Sequence, residues 1–273
     1  MFTTASVRTV AVGGQLLRTC VRPASGGAPG QPPLLLINGI GASLDLLQPF
    51  VDELDPALEV IRFDVPGVGG SPAPSRPYRF TGLCGLIAAM LTELGYDTAD
   101  VLGISWGGAL AQQFALTARG RCRRLVLVAT GAGMFMVPGH PRVILRLATP
   151  RRYTQPDYFR RIAGRTYGGG SRRDPDALLH GSPARFTRPP SFSGYLAQLY
   201  ALAGWTSMPW LRRLPHPTLV LSGDDDPIVP LVNGGLLGRL IPDARLEIID
   251  GGGHLFLLEE PKRIAFVVTE FLT

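Results

Sequence analysis

The stretch Val101-Leu102-Gly103-Ile104-Ser105-Trp106-Gly107-Gly108-Ala109-Leu110-Ala111-Gln112-Gln113-Phe114-Ala115 decides the fold. A short apolar run leads into Ser105 and a run rich in small residues follows it, which reads as strand, sharp turn, helix, with a serine at the apex. Glycines two residues either side suit such a turn, because a side chain there would collide with the neighbouring strand or helix. The hydroxyl is then held above a sheet beside a helix N-terminus, the geometry of a nucleophile elbow. Gly103-Ile104-Ser105-Trp106-Gly107 alone is a short string that chance can supply; its setting between strand and helix gives it meaning.

Working outward, apolar runs of strand length recur on both sides: Leu34–Ile37, Val60–Phe63, Leu125–Ala129, Thr218–Leu221 and Leu246–Ile249. Near-continuous apolar strands are what a parallel sheet covered on both faces requires. Residues 6–12 and 15–22 flank Gly13-Gly14, a favoured hairpin turn, ahead of a Gly/Pro/Ala-rich loop over 23–33. Between the strands, Leu83, Leu86, Ile87, Met90, Leu91 and Leu94 follow a helical stripe, as do Ile264, Val267, Val268, Phe271 and Leu272 behind Pro261. These stripes are core faces. Strands alternating with helices predict an α/β fold with a doubly wound sheet.

The alternation breaks between residues 134 and 205, which predicts a core built from 1–133 and 206–273 with a helical cap over 134–205. Five tyrosines fall there (153, 158, 167, 195, 200), with the run Gly168-Gly169-Gly170. Residues 140–190 hold eleven arginines (142, 146, 151, 152, 160, 161, 165, 172, 173, 185, 188) against three aspartates (157, 174, 176). Inserted between the sixth and seventh strands, this segment would lie over the sheet's C-terminal edge, where open α/β sheets bind ligands. An independent subdomain remote from any site is the alternative reading.

Composition narrows the class. At 273 residues and 45% hydrophobic, the chain suits one large domain with an insertion. The net charge is +6, and all but one of the 27 basic residues are arginine. No basic run is interleaved with aromatics as a nucleic-acid platform needs, so no nucleic-acid partner is expected; a solvated cationic face, with some attraction for anionic surfaces, accounts for the charge. Cys20, Cys84 and Cys122 are odd in number and far apart, which fits neither a disulfide framework nor a metal cluster. Met1-Phe2-Thr3-Thr4 leads into no basic segment followed by an apolar stretch, so no signal peptide is expected, and no run reaches the ~20 apolar residues of a membrane span. A soluble cytoplasmic protein is expected, with its oligomeric state left open.

A serine hydroxyl needs a base before it attacks. Of four histidines, His140 and His180 lie in the insertion and His216 precedes a strand, at the wrong end of the sheet. His254 follows the last strand in Asp250-Gly251-Gly252-Gly253-His254, at the right end, and is the expected base. The acid should follow the preceding strand, in Ser222-Gly223-Asp224-Asp225-Asp226-Pro227. Asp226 is the expected residue, orienting the imidazole; Asp224 and Asp225 read as turn or capping groups, and Asp250 is the less favoured acid. Oxyanion donors are expected from the backbone N–H of Trp106 and, in Asn38-Gly39-Ile40-Gly41, of Ile40.

With those residues in the order Ser, Asp, His, the chain resembles the α/β-hydrolase superfamily. Within it, the chain is similar to the intracellular medium-chain-length polyhydroxyalkanoate depolymerases of bacteria. Ile37-Asn38-Gly39-Ile40-Gly41-Ala42, Phe63-Asp64-Val65-Pro66-Gly67-Val68-Gly69-Gly70, Arg76-Pro77-Tyr78-Arg79-Phe80 and Ser105 to Phe114 carry that resemblance. So do Pro150-Arg151-Arg152-Tyr153, Tyr167-Gly168-Gly169-Gly170, Arg172-Arg173-Asp174-Pro175, Gly204-Trp205-Thr206-Ser207 and Gly223 to Pro227. Asn38 stands where many α/β-hydrolases have histidine, and the run before His254 carries an extra glycine. The resemblance implies a mostly parallel eight-stranded sheet with a helical cap after strand 6. It also implies hydrolysis of storage polyesters of 3-hydroxy fatty acids in cytoplasmic granules, with no metal or organic cofactor. Long alkyl branches would need an apolar slot, for which Trp106, Met134, Phe135, Met136, Val137 and Leu255 are candidates. A general carboxylesterase or lactonase on small lipophilic esters is the competing reading, and a non-catalytic granule-binding protein a third.

Overall fold

The computed structural model describes residues 5–26, 30–176, 178–179 and 184–273; Met1–Thr4 and His180 lie outside them. Eight strands form one sheet in the order β1-β2-β4-β3-β5-β6-β7-β8. They are β1 (Ser6–Val12), β2 (Gln15–Arg22), β3 (Leu34–Ile37), β4 (Val60–Phe63), β5 (Ala99–Ile104), β6 (Cys122–Val128), β7 (Thr218–Gly223) and β8 (Ala244–Ile249). β2 is antiparallel to both its neighbours, and every pairing from β4 to β8 is parallel.

Period-two alternation splits each central strand between two cores. Leu35, Ile37, Val101, Leu125 and Leu127 join the helices Phe80–Glu93, Trp106–Thr117 and Leu231–Leu240 on one face. Leu34, Leu36, Leu102, Val126 and Val128 join the helices Gln48–Glu53 and Pro261–Leu272 on the other. Both faces are therefore dry, which is why these strands read as unbroken apolar runs rather than alternating ones. Each fully buried Leu or Val contributes roughly 1.5–3 kcal/mol, so the central strands hold the loops at their C-terminal ends in fixed positions.

β5 and β6 begin earlier than their apolar runs. Asp100 in β5 pairs with the Arg123 guanidinium and also accepts the Arg124 N–H at 3.1 Å, so polar residues extend the ladder there. Between β6 and β7 the described chain is helical: Pro141–Arg146, Arg151–Thr154, Pro156–Tyr167, Gly169–Arg173, Ala184–Thr187 and Phe192–Leu202. This insertion rests on loops at the C-terminal ends of strands. Tyr167 O accepts the His254 N–H at 2.6 Å, Gly67 O accepts the Ser191 N–H at 2.9 Å, and the Tyr153 hydroxyl donates to Ile40 O at 2.8 Å.

Candidate active site

Ser105 sits between β5 and the Trp106–Thr117 helix at φ 53°, ψ −115°. That backbone is rare for a residue with a side chain and costs of order 1–3 kcal/mol unless its surroundings hold it. Here they do. The Ser105 N–H donates to Val128 O at 2.8 Å, and Ser105 O accepts from the Gly108 N–H at 2.9 Å and the Thr130 hydroxyl at 2.8 Å. The two glycines serve different contacts. A Cβ on Gly103 would strike the Gly107 carbonyl and Ala111, within the helix; one on Gly107 would strike the carbonyls of Ile37, the last residue of β3, and of Asn38 just after it. The elbow thus lies directly against the strand that carries the Asn38–Gly41 loop.

Two further loops bring in an imidazole and a carboxylate. After β7, Asp226 places Oδ1 where the Ile228 and Val229 N–H groups donate to it, at 2.8 and 2.9 Å. Its Oδ2 lies 2.7 Å from His254 Nδ1, and His254 Nε2 lies 3.0 Å from Ser105 Oγ. Asp226 is 6% and His254 7% exposed, so water competes little for these bonds. A carboxylate can only accept; facing Nδ1, it fixes the proton on that nitrogen and leaves Nε2 to accept from the serine hydroxyl. The glycine run ahead of His254 is taken up by a turn, with Gly251 at φ 62° and the Gly252 N–H on Ile249 O at 3.0 Å.

Beside Ser105, the Ile40 and Trp106 N–H groups carry no hydrogen bond to another described residue. Their surroundings are held from above. Ile40 O accepts from Tyr153 and, at 3.3 Å, from Arg152 Nη2; the Gly41 N–H donates to Gln198 Oε1 at 2.8 Å; the Trp106 indole donates to Gln198 O at 2.8 Å. Gln198, 1% exposed, therefore ties the Phe192–Leu202 helix to both sides of the serine. Nothing in the sequence distinguishes it from other polar positions on that helix.

Two cavities meet at Ser105. The larger, about 310 Å³, is lined by Trp106, Met136, Leu199, Leu202 and Val229 among others, and is strongly apolar; the smaller, about 60 Å³, is lined by His254, Leu255, Arg152, Tyr153, Tyr167 and Arg185 among others. Met136 and Leu255 thus face cavity space. Met134 and Phe135 are 60% and 61% exposed and line neither cavity, and Val137 is half exposed with its N–H on Asn233 Oδ1. His140 accepts the Arg142 N–H at the start of its helix, and His216 sits at the start of β7 within 3.1 Å of Ala115 O. Asp225 Oδ2 accepts the Gly169 N–H at 2.8 Å, while Glu259 takes the Gly170 and Ser171 N–H groups. The glycine run of the insertion is thereby capped by carboxylates from the core. All three cysteines are free and buried, and among the described residues no cluster of three or more His, Cys, Asp or Glu could hold a metal. No described helix is long and apolar enough to cross a membrane.

Residues 32–261 match the alpha/beta hydrolase fold family. The chain belongs to the α/β-hydrolase family. It is 54% identical over 266 residues, 97% of this chain and 92% of the relative, to a poly(3-hydroxyalkanoate) depolymerase of Ectopseudomonas oleovorans. It is 26% identical to 3-oxoadipate enol-lactonase 2 of Acinetobacter baylyi, over 86% of each chain. Among solved structures, a hydrolase of Pseudomonas aeruginosa superposes with a TM-score of 0.80 at 26% identity, covering 97% of this chain and 98% of that one. The sheet order and the insertion after β6 are thus those of an α/β-hydrolase.

Proposed function

We propose that this α/β-hydrolase is a carboxylic ester hydrolase that cleaves poly(3-hydroxyalkanoate) with medium-length alkyl branches, working on cytoplasmic polyester granules. The observation that carries the chemistry is the unbroken relay from Ser105 Oγ through His254 to Asp226 at the junction of two cavities. The substrate class rests on the 54% identity to the depolymerase across nearly the whole chain, and the apolar lining of the larger cavity suits alkyl branches.

In this mechanism His254 Nε2 takes the Ser105 proton as Oγ attacks the ester carbonyl. Asp226 stabilises the imidazolium and keeps the proton on Nδ1. The Ile40 and Trp106 N–H groups receive the developing oxyanion; each such donor is worth about 3 kcal/mol. His254 then protonates the departing alkoxide, and a water, activated by the same base, hydrolyses the acyl-enzyme. Residues 134–205 act as a cap over this centre, with its outward-facing arginines, unlike the buried Arg152 and Arg185, available to an anionic granule surface.

Ser105→Ala should abolish hydrolysis of p-nitrophenyl octanoate and of amorphous polyester granules, with retained turnover refuting the mechanism. A small-ester esterase or lactonase is the second reading, favoured by the likeness to the enol-lactonase. Intact granules alongside rapid soluble-ester hydrolysis by the wild type would decide for it, and granule binding without any turnover would decide for a non-catalytic role.

A further inference from the structure

The loop beside Ser105 is a tight turn gripped at its middle peptide. Gly39 O accepts the Ala42 N–H at 3.2 Å. Gly41, third of the four residues, has φ 77°, while Ile40 keeps the ordinary negative sign. That is a type II turn. It packs on the elbow, since a Cβ on Gly39 would lie 3.7 Å from that of Ser105. Types I and II differ by turning the central peptide over, and glycine in third place accepts either sign of φ. The hydrogen bond that closes the turn is compatible with both, so it does not choose between them. The contacts that do choose come from the insertion. The peptide joining Ile40 to Gly41 is planar, and both of its polar ends are taken. Ile40 O accepts from the Tyr153 hydroxyl at 2.8 Å and from Arg152 Nη2 at 3.3 Å, while the Gly41 N–H donates to Gln198 Oε1 at 2.8 Å. Tyr153 and Arg152 are 5% and 2% exposed and Gln198 is fully buried, so solvent competes little for these bonds. They reach in from two separate helices, Arg151–Thr154 and Phe192–Leu202. The Tyr153 ring also closes over Gly41, where a Cβ would meet its Cε2 at 2.6 Å.

On the serine-esterase reading above, we propose that Tyr153 is a positioning residue for the oxyanion hole. With Arg152 and Gln198 it locks the 40–41 peptide, so that the Ile40 N–H stays aimed at the carbonyl under attack. Turning that peptide over breaks three buried hydrogen bonds at once and points an N–H at the two donors that held the carbonyl. The Ile40 N–H has no partner of its own among the described residues, so its direction is set by the backbone on either side of Ile40. On one side Gly39 O is tied to Ala42; on the other lies the locked peptide. A donor counts for most when it is aimed before the negative charge appears, because no reorganisation is then needed at the moment of reaction. Full rate therefore requires both helices of the insertion to be seated on the loop. Formation and hydrolysis of the acyl-enzyme each pass through an oxyanion, so kcat reports the lock whichever step is slower. The substrate's uncharged carbonyl draws much less on the same donor, so ground-state binding is left nearly as it was.

Tyr153→Phe keeps the ring over Gly41 and removes only the hydroxyl. Two ketones of equal chain length separate aim from packing. The carbonyl of 1,1,1-trifluoro-2-decanone takes up Ser105 Oγ as the serine proton passes to His254, which leaves an oxyanion in the hole; 2-decanone binds without forming that adduct. In the variant, kcat on p-nitrophenyl octanoate should fall about 5- to 10-fold, the worth of one hydrogen bond. Affinity for the trifluoroketone should fall by the same factor, and affinity for 2-decanone should stay within about twofold. With Gln198→Met added, the losses in kcat and in trifluoroketone affinity should approach about 100-fold, that of a missing oxyanion donor. Equal weakening of both ketones, or unchanged trifluoroketone affinity, would overturn the lock. If Tyr153→Phe does not fold, the same pair of ketones on Gln198→Met decides. Wild-type turnover that survives Tyr153→Phe undiminished would sink the lock and leave the esterase standing; no wild-type turnover of p-nitrophenyl octanoate would remove both.

Discussion

Replacing Asp226 by asparagine tests the site's logic through a single atom. The Ile228 and Val229 N–H groups both point at Oδ1, so the asparagine carbonyl takes that place. The reverse orientation would surrender two hydrogen bonds of about 1 kcal/mol each, a bias of roughly 30-fold. The amide NH₂ then faces His254 Nδ1 and donates to it. The imidazole proton moves to Nε2, and the base can no longer accept from Ser105. Only the few per cent of molecules in the reverse orientation keep a working base, and even these lack the carboxylate that stabilises imidazolium. Together the two losses come to about 10³- to 10⁴-fold in kcat, or ~4–5.5 kcal/mol. Because the backbone bonds survive, the melting temperature should move by no more than about 3 °C. Steady-state hydrolysis of p-nitrophenyl octanoate, paired with thermal unfolding, reads both numbers. Activity within tenfold of wild type, or an equal loss from Asp250→Asn, would refute the reasoning.

Two other outcomes follow from buried groups. Gln198→Met keeps the side chain's length but removes the acceptor for the Gly41 N–H, which should cost about 1–3 kcal/mol of stability. Loosening of the Ile40 loop should lower kcat about tenfold with KM little changed; a stability loss with unchanged kcat would show that Gln198 only packs. Burial pushes the Cys84 thiol up to about 12 and raises Cys122 as well, so neither should react with a disulfide reagent at pH 8 in the native enzyme, while both react in guanidinium. The unfolded chain releases these protons first, so their contribution to stability is complete below the ordinary thiol pKa and declines as pH climbs from there toward 12. Rising denaturation midpoints over that range would contradict this.

The sheet was legible because both faces of its central strands are covered: six apolar runs of four or five residues correspond to the six parallel strands β3 to β8. The hairpin bounds matched β1 and β2 residue for residue, since Gly13 and Gly14 both take positive φ. Strand starts at Ala99 and Cys122 were hidden, because Asp100, Arg123 and Arg124 bond one another instead of presenting an apolar face. The insertion was visible only as a break in pattern. Its helices are short, and Arg152 and Arg185 turn inward against aromatic rings, so charge gave the wrong impression of a wholly solvated surface. Gln198 left no trace at all, because its role arises from where its helix lands rather than from any local spacing.

The His254 amide hangs from Tyr167 O, and a Cβ on Gly253 would press into the Gly168 and Gly169 backbone. Chimaeras made to transplant specificity between relatives must therefore leave the Tyr167–Ser171 turn with the recipient scaffold. A splice drawn at the visible ends of the helical excursion would remove the shelf on which the general base is seated, and a silent hybrid would then report the cut site instead of the donor's preference.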